Sequence, residues 1–284
     1  MKSPVLKDII KALRKNPLSL AGLGVIVALV IAAVVAPYAA PYDPIATDPM
    51  NRLQAPSPHH PLGTDQLGRD ILSRLLYGAR ISIRIALIVV ALAGVSGTLI
   101  GVLCGYLGGW VDNLLMRITD MFMAFPQLIL AMAISSALGP SLENVVIAVS
   151  MTEWTFFARL ARSRAIAVRE EDYVEAARAM GATGWRVLAR HVLPMCLSPV
   201  IVQATLEMGG IIRTAASLGF LGLGAQPPTP EWGVMVTAGR NYLPNQWWVS
   251  TFPGLAIFLT VLGYNLLGDG IRDILDPRLR GQGI

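Results

Sequence analysis

Lysine disappears from this sequence after Lys15. A loop that cradles nucleotide phosphates needs a lysine behind a glycine-rich turn, so the chain cannot hydrolyse ATP by itself. Charge of both signs is scarce. Asp, Glu, Lys and Arg make up 14% of the 284 residues, where a soluble domain carries about a quarter. Histidine occurs only at His59, His60 and His191, none inside a long apolar run. An intramembrane hydrolase would find no base beside its nucleophile, and a metal enzyme no ligand set. His59 and His60 are neighbours in a proline-rich segment and read as solvated polar residues rather than metal ligands. Cys104 and Cys196 fall in or near apolar runs and make no disulfide framework. The alternation of a membrane barrel strand is also missing.

What the sequence does have is apolar length. Hydrophobic residues reach 54% and the mean hydropathy is +0.57. Crossing the hydrocarbon takes about 20 mostly apolar residues. Six runs qualify as spans: 18–35, 81–107, 121–138, 142–160, 192–220 and 252–267. Lipid offers no partner for free N–H and C=O groups, so each run is expected to be helical. Gly139-Pro140 makes a tight turn between the third and fourth runs, and Glu153 sits inside the fourth. The first run, about 18 residues behind Lys2, Lys7, Lys11, Arg14 and Lys15, exceeds the usual signal-peptide core and reads as an uncleaved span. With the N-terminus inside, 16 of the 23 Lys and Arg residues fall on cytoplasmic segments, as membrane proteins prefer. The five arginines from Arg52 to Arg84 go against that rule. N-in and C-in is the orientation that follows, and the cytoplasmic arginines account for the basic charge without nucleic acid.

One polar stretch interrupts the greasy chain between the fourth and fifth runs: YVEAARAMGATGWRVLARHVLP, residues 173–194. Asp172 or its predecessors can cap a short helix through Val174, Ala177 and Ala179. Gly181 stops it and Thr183 can cap a second. On the second helix Trp185, Leu188 and Val192 line one side and Arg186 and Arg190 another. Pro194 is expected to end the arrangement. Two readings fit equally: a protruding knob that docks on a partner, and an amphipathic stretch lying on an anionic leaflet.

The spacing of Glu175-Ala176-Ala177, Gly181 and His191-Val192-Leu193-Pro194 resembles the EAA loop of bacterial ABC-importer permeases. Leu62 to Asp70 with Ser73-Arg74 is similar to the segment between the first two spans of the peptide/nickel/opine permease family. So are Ser217 to Gly224, Pro227 to Gly233, and Asn265 to Gly270 with Asp276-Pro277. The pattern looks closest to the C-type, second permease subunit of dipeptide and oligopeptide transporters. His191 departs slightly, standing where the family more often has an aliphatic residue. The resemblance implies an all-α integral membrane fold of six transmembrane helices, a type I ABC-importer permease of the inner membrane, with cytoplasmic coupling helices. It implies a cytoplasmic segment 1–17, a first span with a periplasmic Pro-rich loop 18–80, and a permease core 81–272. That core holds an EAA loop at about 164–194 and a periplasmic loop at about 225–251; a cytoplasmic tail 273–284 follows. Glu175, Ala176, Ala177 and Gly181 would be the contact positions for a separate ATPase. The implied partners are a homologous second permease subunit in a heterodimer, two ATP-binding subunits carrying ATP and Mg, and a periplasmic solute-binding protein. This chain would bind no cofactor and do no catalysis. The cargo would be di- or oligopeptides, with nickel, glutathione or opines as alternatives within the family.

Beyond the loop, Glu153, Glu207 and Arg213 are ionisable residues at membrane depth, where charge is costly and often functional. Glu207 and Arg213 are candidates for lining the pore; six apart, they point to different sides of one helix. Glu153 reads as a helix–helix contact. The segment from Pro37 to Pro61 is too proline-rich for regular helix, and a helix begins at about Asp70, with Arg74 four residues on. Asp65, Arg69, Asp70, Glu231 and Trp232 lie in segments that would form a periplasmic gate or docking surface. Trp247-Trp248 reads either as part of that surface or as an interfacial belt. Gly209-Gly210 and Gly219, Gly222 and Gly224 permit close packing or a break in the fifth run.

Overall fold

The computed structural model describes residues 17–275, with side chains to residue 271. The basic leader, Asp276-Pro277, Arg278 and Arg280 lie outside the described residues, as does the side chain of Arg272. Among the described residues nine α-helices follow in order: α1 Pro17–Ala39, α2 Ile71–Leu107, α3 Gly109–Met123, α4 Gln127–Leu138, α5 Leu142–Arg169, α6 Asp172–Ala179, α7 Gly184–Phe220, α8 Trp232–Gly239 and α9 Trp248–Leu275. Among the described residues there is no strand, only an isolated bridge between Thr64 and Asp70.

Four of these helices are long and apolar enough to cross a membrane: α1, α2, α7 and α9 through Ile271. The third run does not form the continuous span expected over 121–138. It breaks into α3 and α4, which meet at 90°, and counts as a fifth span only if the bent pair is taken together. Pro126 is the cause. It donates no N–H, and its ring disfavours helical backbone at Phe125. The fourth run is helical, as α5, but its charged residues leave it less apolar than a helix that crosses on its own.

Helices also outrun the apolar stretches that signal them. At 37 residues, α2 is about 55 Å long, well beyond a hydrocarbon core of about 30 Å. Its first ten residues precede the expected start at Ile81. They form because Asp70 accepts from the Ser73 N–H at 2.8 Å and so caps the first turn. α7 likewise begins before Val192, and Pro194 does not end it. A π turn over Leu188–Val192, closed by the Leu193 N–H onto the Leu188 carbonyl, opens the ladder just before the proline, and the helix continues through Pro199.

The chain forms two compact units. Of the described residues, the first takes 17–87, Ser135–Val146 and 205–275. Here α1 crosses α9 at small residues: a methyl group on Gly22 would stand 2.8 Å from the Gly263 carbonyl oxygen. α8 packs on α7 where Gly233 meets the Ala216 backbone. The Gly139-Pro140 turn is closed by the Asn144 amide, which donates to the Leu138 and Gly139 carbonyls at 2.9 Å.

The second unit holds Ile88–Ile134 and Ile147–Ala204. Its centre is a glycine ladder on α2 at four-residue spacing, Gly97, Gly101 and Gly105, facing α5. A Cβ on Gly101 would overlap the Ala158 carbonyl oxygen, and one on Gly105 would lie 2.6 Å from that of Arg162. Ala158, Ala161 and Ala165 on the facing stripe are fully buried. In lipid no hydrophobic force draws helices together, so close backbone approach of this kind supplies the van der Waals contact that does. Arg162 grips both oxygens of Asp112, the second bond at 2.7 Å, and Arg159 pairs with Asp120, tying α5 to α3. Gln127 donates to the buried Glu153, which makes that carboxylate a helix–helix contact between α4 and α5.

Candidate functional site

The polar stretch is a two-helix knob built on an apolar base. Glu171, extended at φ −75° and ψ 141°, precedes α6 but makes no side-chain cap. Asp172 and Glu175 in the first turn complement the helix dipole instead. α6 ends at Ala179. Gly181 then turns the chain at φ +84°, a region where a side chain is strained, and the Ala182 N–H returns to the Ala177 carbonyl at 3.1 Å. Thr183 precedes α7 without a side-chain cap. Val174, Ala177, Val187, Leu188 and Val192 are buried with Val168 and Ala165 of α5 in one apolar cluster. These buried side chains anchor the knob to α5.

Two expectations change here. Ala177 is 4% exposed, so its side chain belongs to the base and not to a contact face. It stands three residues after the buried Val174 and therefore shares its side of the helix. Trp185 does not join Leu188 and Val192; it is 72% exposed. Glu175, Ala176 and Gly181 are exposed, beside Met180. The Arg178 guanidinium lies 5.4 Å from the centre of the Tyr106 ring at the end of α2. Arg169 donates to the Gly105 and Tyr106 carbonyls at 3.3 and 3.4 Å, satisfying acceptors that a helix end leaves open. The knob is thereby fixed to α2 as well as α5, a link that no local pattern signals.

The second group of candidate residues forms a module around the start of α2. Asp65 is its centre. Its Oδ1 accepts from the Leu67 and Arg69 N–H groups at 2.8 and 3.0 Å, and its Oδ2 accepts from Arg69 Nε at 2.7 Å. Arg74 does not pair with Asp70. It stands 3.7 Å from Asp65 and donates to the Pro44 and Pro228 carbonyls. Asp70 caps α2 and meets His60 Nδ1 at 3.0 Å. Gly68, at φ +75°, lies so close to Asp48 that no side chain fits. Glu231 caps α8, accepting from the Gly233 and Val234 N–H groups at 2.9 Å. Trp232 Nε1 donates to Leu75. Asp65, Arg69, Asp70, Glu231 and Trp232 are all buried, so their side chains brace the loops instead of facing a partner. Trp248 is also internal, donating to the Thr64 carbonyl, whereas Trp247 is half exposed.

Burial pushes the Glu231 carboxyl up from 4.5 to about 7, against the pull of its two backbone donors. Between these values the folded protein holds more protons than the unfolded chain, so its stability falls as pH rises through that window. Thermal unfolding in detergent should show that fall in the wild type. Glu231→Gln should flatten it, at a pH-independent cost of about 1 kcal/mol for the weakened cap. An unchanged slope in the variant would refute the assignment.

Of the two residues considered for a pore, Glu207 is half-buried and Arg213 exposed, on different sides of α7. The glycine ladder on α2 was legible as a small-residue repeat at four-residue spacing, a signal the span pattern eclipsed.

Long apolar helices and helix packing through small residues together define a multi-pass helical membrane protein. The chain belongs to the family of binding-protein-dependent transport system inner membrane components, whose profile matches residues 97–281. Residues 4–56 match the N-terminal transmembrane domain of oligopeptide transport permease C. The probable D,D-dipeptide transport system permease protein DdpC of Escherichia coli K12 is 47% identical over 270 residues, covering 95% of this chain and 91% of that protein. The dipeptide transport system permease protein DppC of Alkalihalophilus pseudofirmus is 46% identical, over 96% of this chain and 90% of its own length. The glutathione transport system permease protein GsiD of Pectobacterium atrosepticum is 46% identical, over 94% and 89%.

Proposed function

We propose that this chain is one permease subunit of an ATP-driven importer of di- or oligopeptides. It forms half of the translocation path, crosses the inner membrane six times with both ends in the cytoplasm, and pairs with a homologous second permease. ATP and Mg are held by two separate ATPase subunits, which grip the α6–α7 knob from the cytoplasm. A periplasmic solute-binding protein delivers the cargo to the loops between α1 and α2 and between α7 and α9. The observation that carries this reading is the knob itself: Glu175, Ala176 and Gly181 are exposed on a base made rigid by the Val174 to Val192 cluster. A handle must be stiff to transmit force. The peptide cargo is supported by the relatives' names, and glutathione is the second reading because one such relative is as similar as the dipeptide permeases.

Solubilisation in mild detergent tests the assembly. The chain should co-purify with an ATPase and a second, homologous polytopic chain, and the associated binding protein should carry a short peptide. A purified complex without any ATPase would sink the reading; a glutathione-loaded binding protein would correct only the cargo.

A further inference from the structure

The end of α2 reaches the knob through one side chain. Tyr106, the last residue but one of that helix, lies where α6 and α7 meet. Its ring centre is 5.4 Å from the Arg178 guanidinium on α6. Its hydroxyl lies beside Gly184, the first residue of α7, where an added Cβ would stand 3.5 Å from it. The ring also packs on the apolar cluster that holds Val174 and Val187. Its carbonyl accepts from Arg169 of α5 at 3.4 Å. One residue therefore touches all three elements that carry the knob. The turn it belongs to cannot slide away, because Gly105 has no room for a Cβ against the Arg162 carbonyl and the Ala165 side chain.

α5 and α7 are joined to α6 by short stretches of the chain itself. α2 ends far earlier in the sequence and follows the knob only by contact. Tyrosine has two side-chain torsions and is stiff for its size, so its ring passes a push with little slack. The exposed Arg178 adds a modest hold, because a cation over an exposed ring shifts an equilibrium by about two- to fivefold. The packed ring supplies the rest. We infer that Tyr106 is a positioning residue for transport: its ring seats the knob on the last turn of α2, so that a displacement of the knob moves a helix long enough to cross the membrane. The seat stands on these contacts alone. Its part in transport rests on the reading of the chain as an ATP-driven permease, since a motor must supply the displacement.

Two measurements on the detergent-purified complex with its native partners test this. The first is hydrogen exchange of the backbone amides in α6 and the first turn of α7. Tyr106→Ala should speed that exchange by about tenfold, while amides from Gly97 to Gly105 keep their protection. The second is ATP hydrolysis without and with the binding protein, used as it co-purifies with its own ligand. Tyr106→Ala should keep the basal rate and lose at least about tenfold of the stimulation. Tyr106→Phe keeps the ring and should behave as the wild type in both. Arg178→Gln should cost about two- to fivefold of the stimulation alone and nothing further when added to Tyr106→Ala. A merely structural role would lower basal and stimulated rates together and leave their ratio unchanged. Wild-type exchange in Tyr106→Ala overturns the seat. Faster exchange with full stimulation overturns its part in transport. A wild-type complex without ATP hydrolysis removes the permease reading and that part with it, and the exchange result then decides the seat by itself.

Discussion

Gly101→Leu is expected to leave almost no folded protein in the membrane. The Gly101 Cα faces the Ala158 backbone, where even one added carbon would overlap a carbonyl oxygen. Gly97 and Gly105, one turn to either side, also leave no room for a Cβ against α5, so the two helices cannot tilt apart at one point and stay packed at the next. Separating them would also loosen the fully buried Phe157, Ala161 and Ala165. Overpacking a core with a single group typically costs about 1–3 kcal/mol. Here the obstacle is backbone and not a side chain that can move, so the cost lies at or above the top of that range. Folded yield, read as monodisperse protein after detergent extraction, should drop by at least about tenfold. Gly94→Ala is the matched control, because the nearest atom to a methyl group there, on the Phe157 ring, is 3.8 Å away. Equal yields for the two variants would mean that α2 and α5 do not meet as described.

Glu175→Lys should do the opposite: spare the fold and abolish transport. Glu175 is exposed on the first turn of α6, and none of the apolar base depends on it. Replacing an acid by a base near a helix N-terminus costs only about 0.3–1 kcal/mol for each charge concerned. The knob would remain, held by Val174 and Ala177 below and by Arg178 against Tyr106. At this proposed grip point, however, the partner would meet a reversed charge. Truncating a buried, hydrogen-bonded charge at an interface typically costs about 2–5 kcal/mol, enough for roughly a thirtyfold or greater loss. Uptake in cells should be lost while the purified chain keeps its unfolding midpoint. Normal uptake by Glu175→Lys would show that α6 is not where the motor engages.

How far the sequence reaches can be judged from these same residues. Four long helices were legible because apolar run length is a local property, and Gly181 was legible as a stop because a left-handed turn favours glycine wherever it falls. The break at Pro126 was equally legible, and an uninterrupted apolar count passed over it. The polar motifs were legible as family signatures but not as geometry. Asp65, Arg69, Asp70, Glu231 and Trp232 look like surface chemistry in a row of letters. In the folded chain they are internal braces: Asp65, Asp70 and Glu231 turn back onto N–H groups two to four residues on, while Trp232 reaches the Leu75 carbonyl across the fold. Arg74 shows the same lesson: spacing suggests Asp70, while the fold presents Asp65 and two proline carbonyls.

By itself the sequence determined that this is a helical membrane protein, and to which transport family it is similar. Composition, run length and motif spacing need no third dimension. The tertiary structure decided the direction in which each residue faces: Ala177 inward and Ala176 outward on one short helix, Trp248 buried and Trp247 exposed in one pair, two arginines closing on one aspartate. The first two depend on contacts between segments far apart in the chain, and the third on a loop fold that turns nearby residues inward, so that burial and the pairing of charge outweigh local preference.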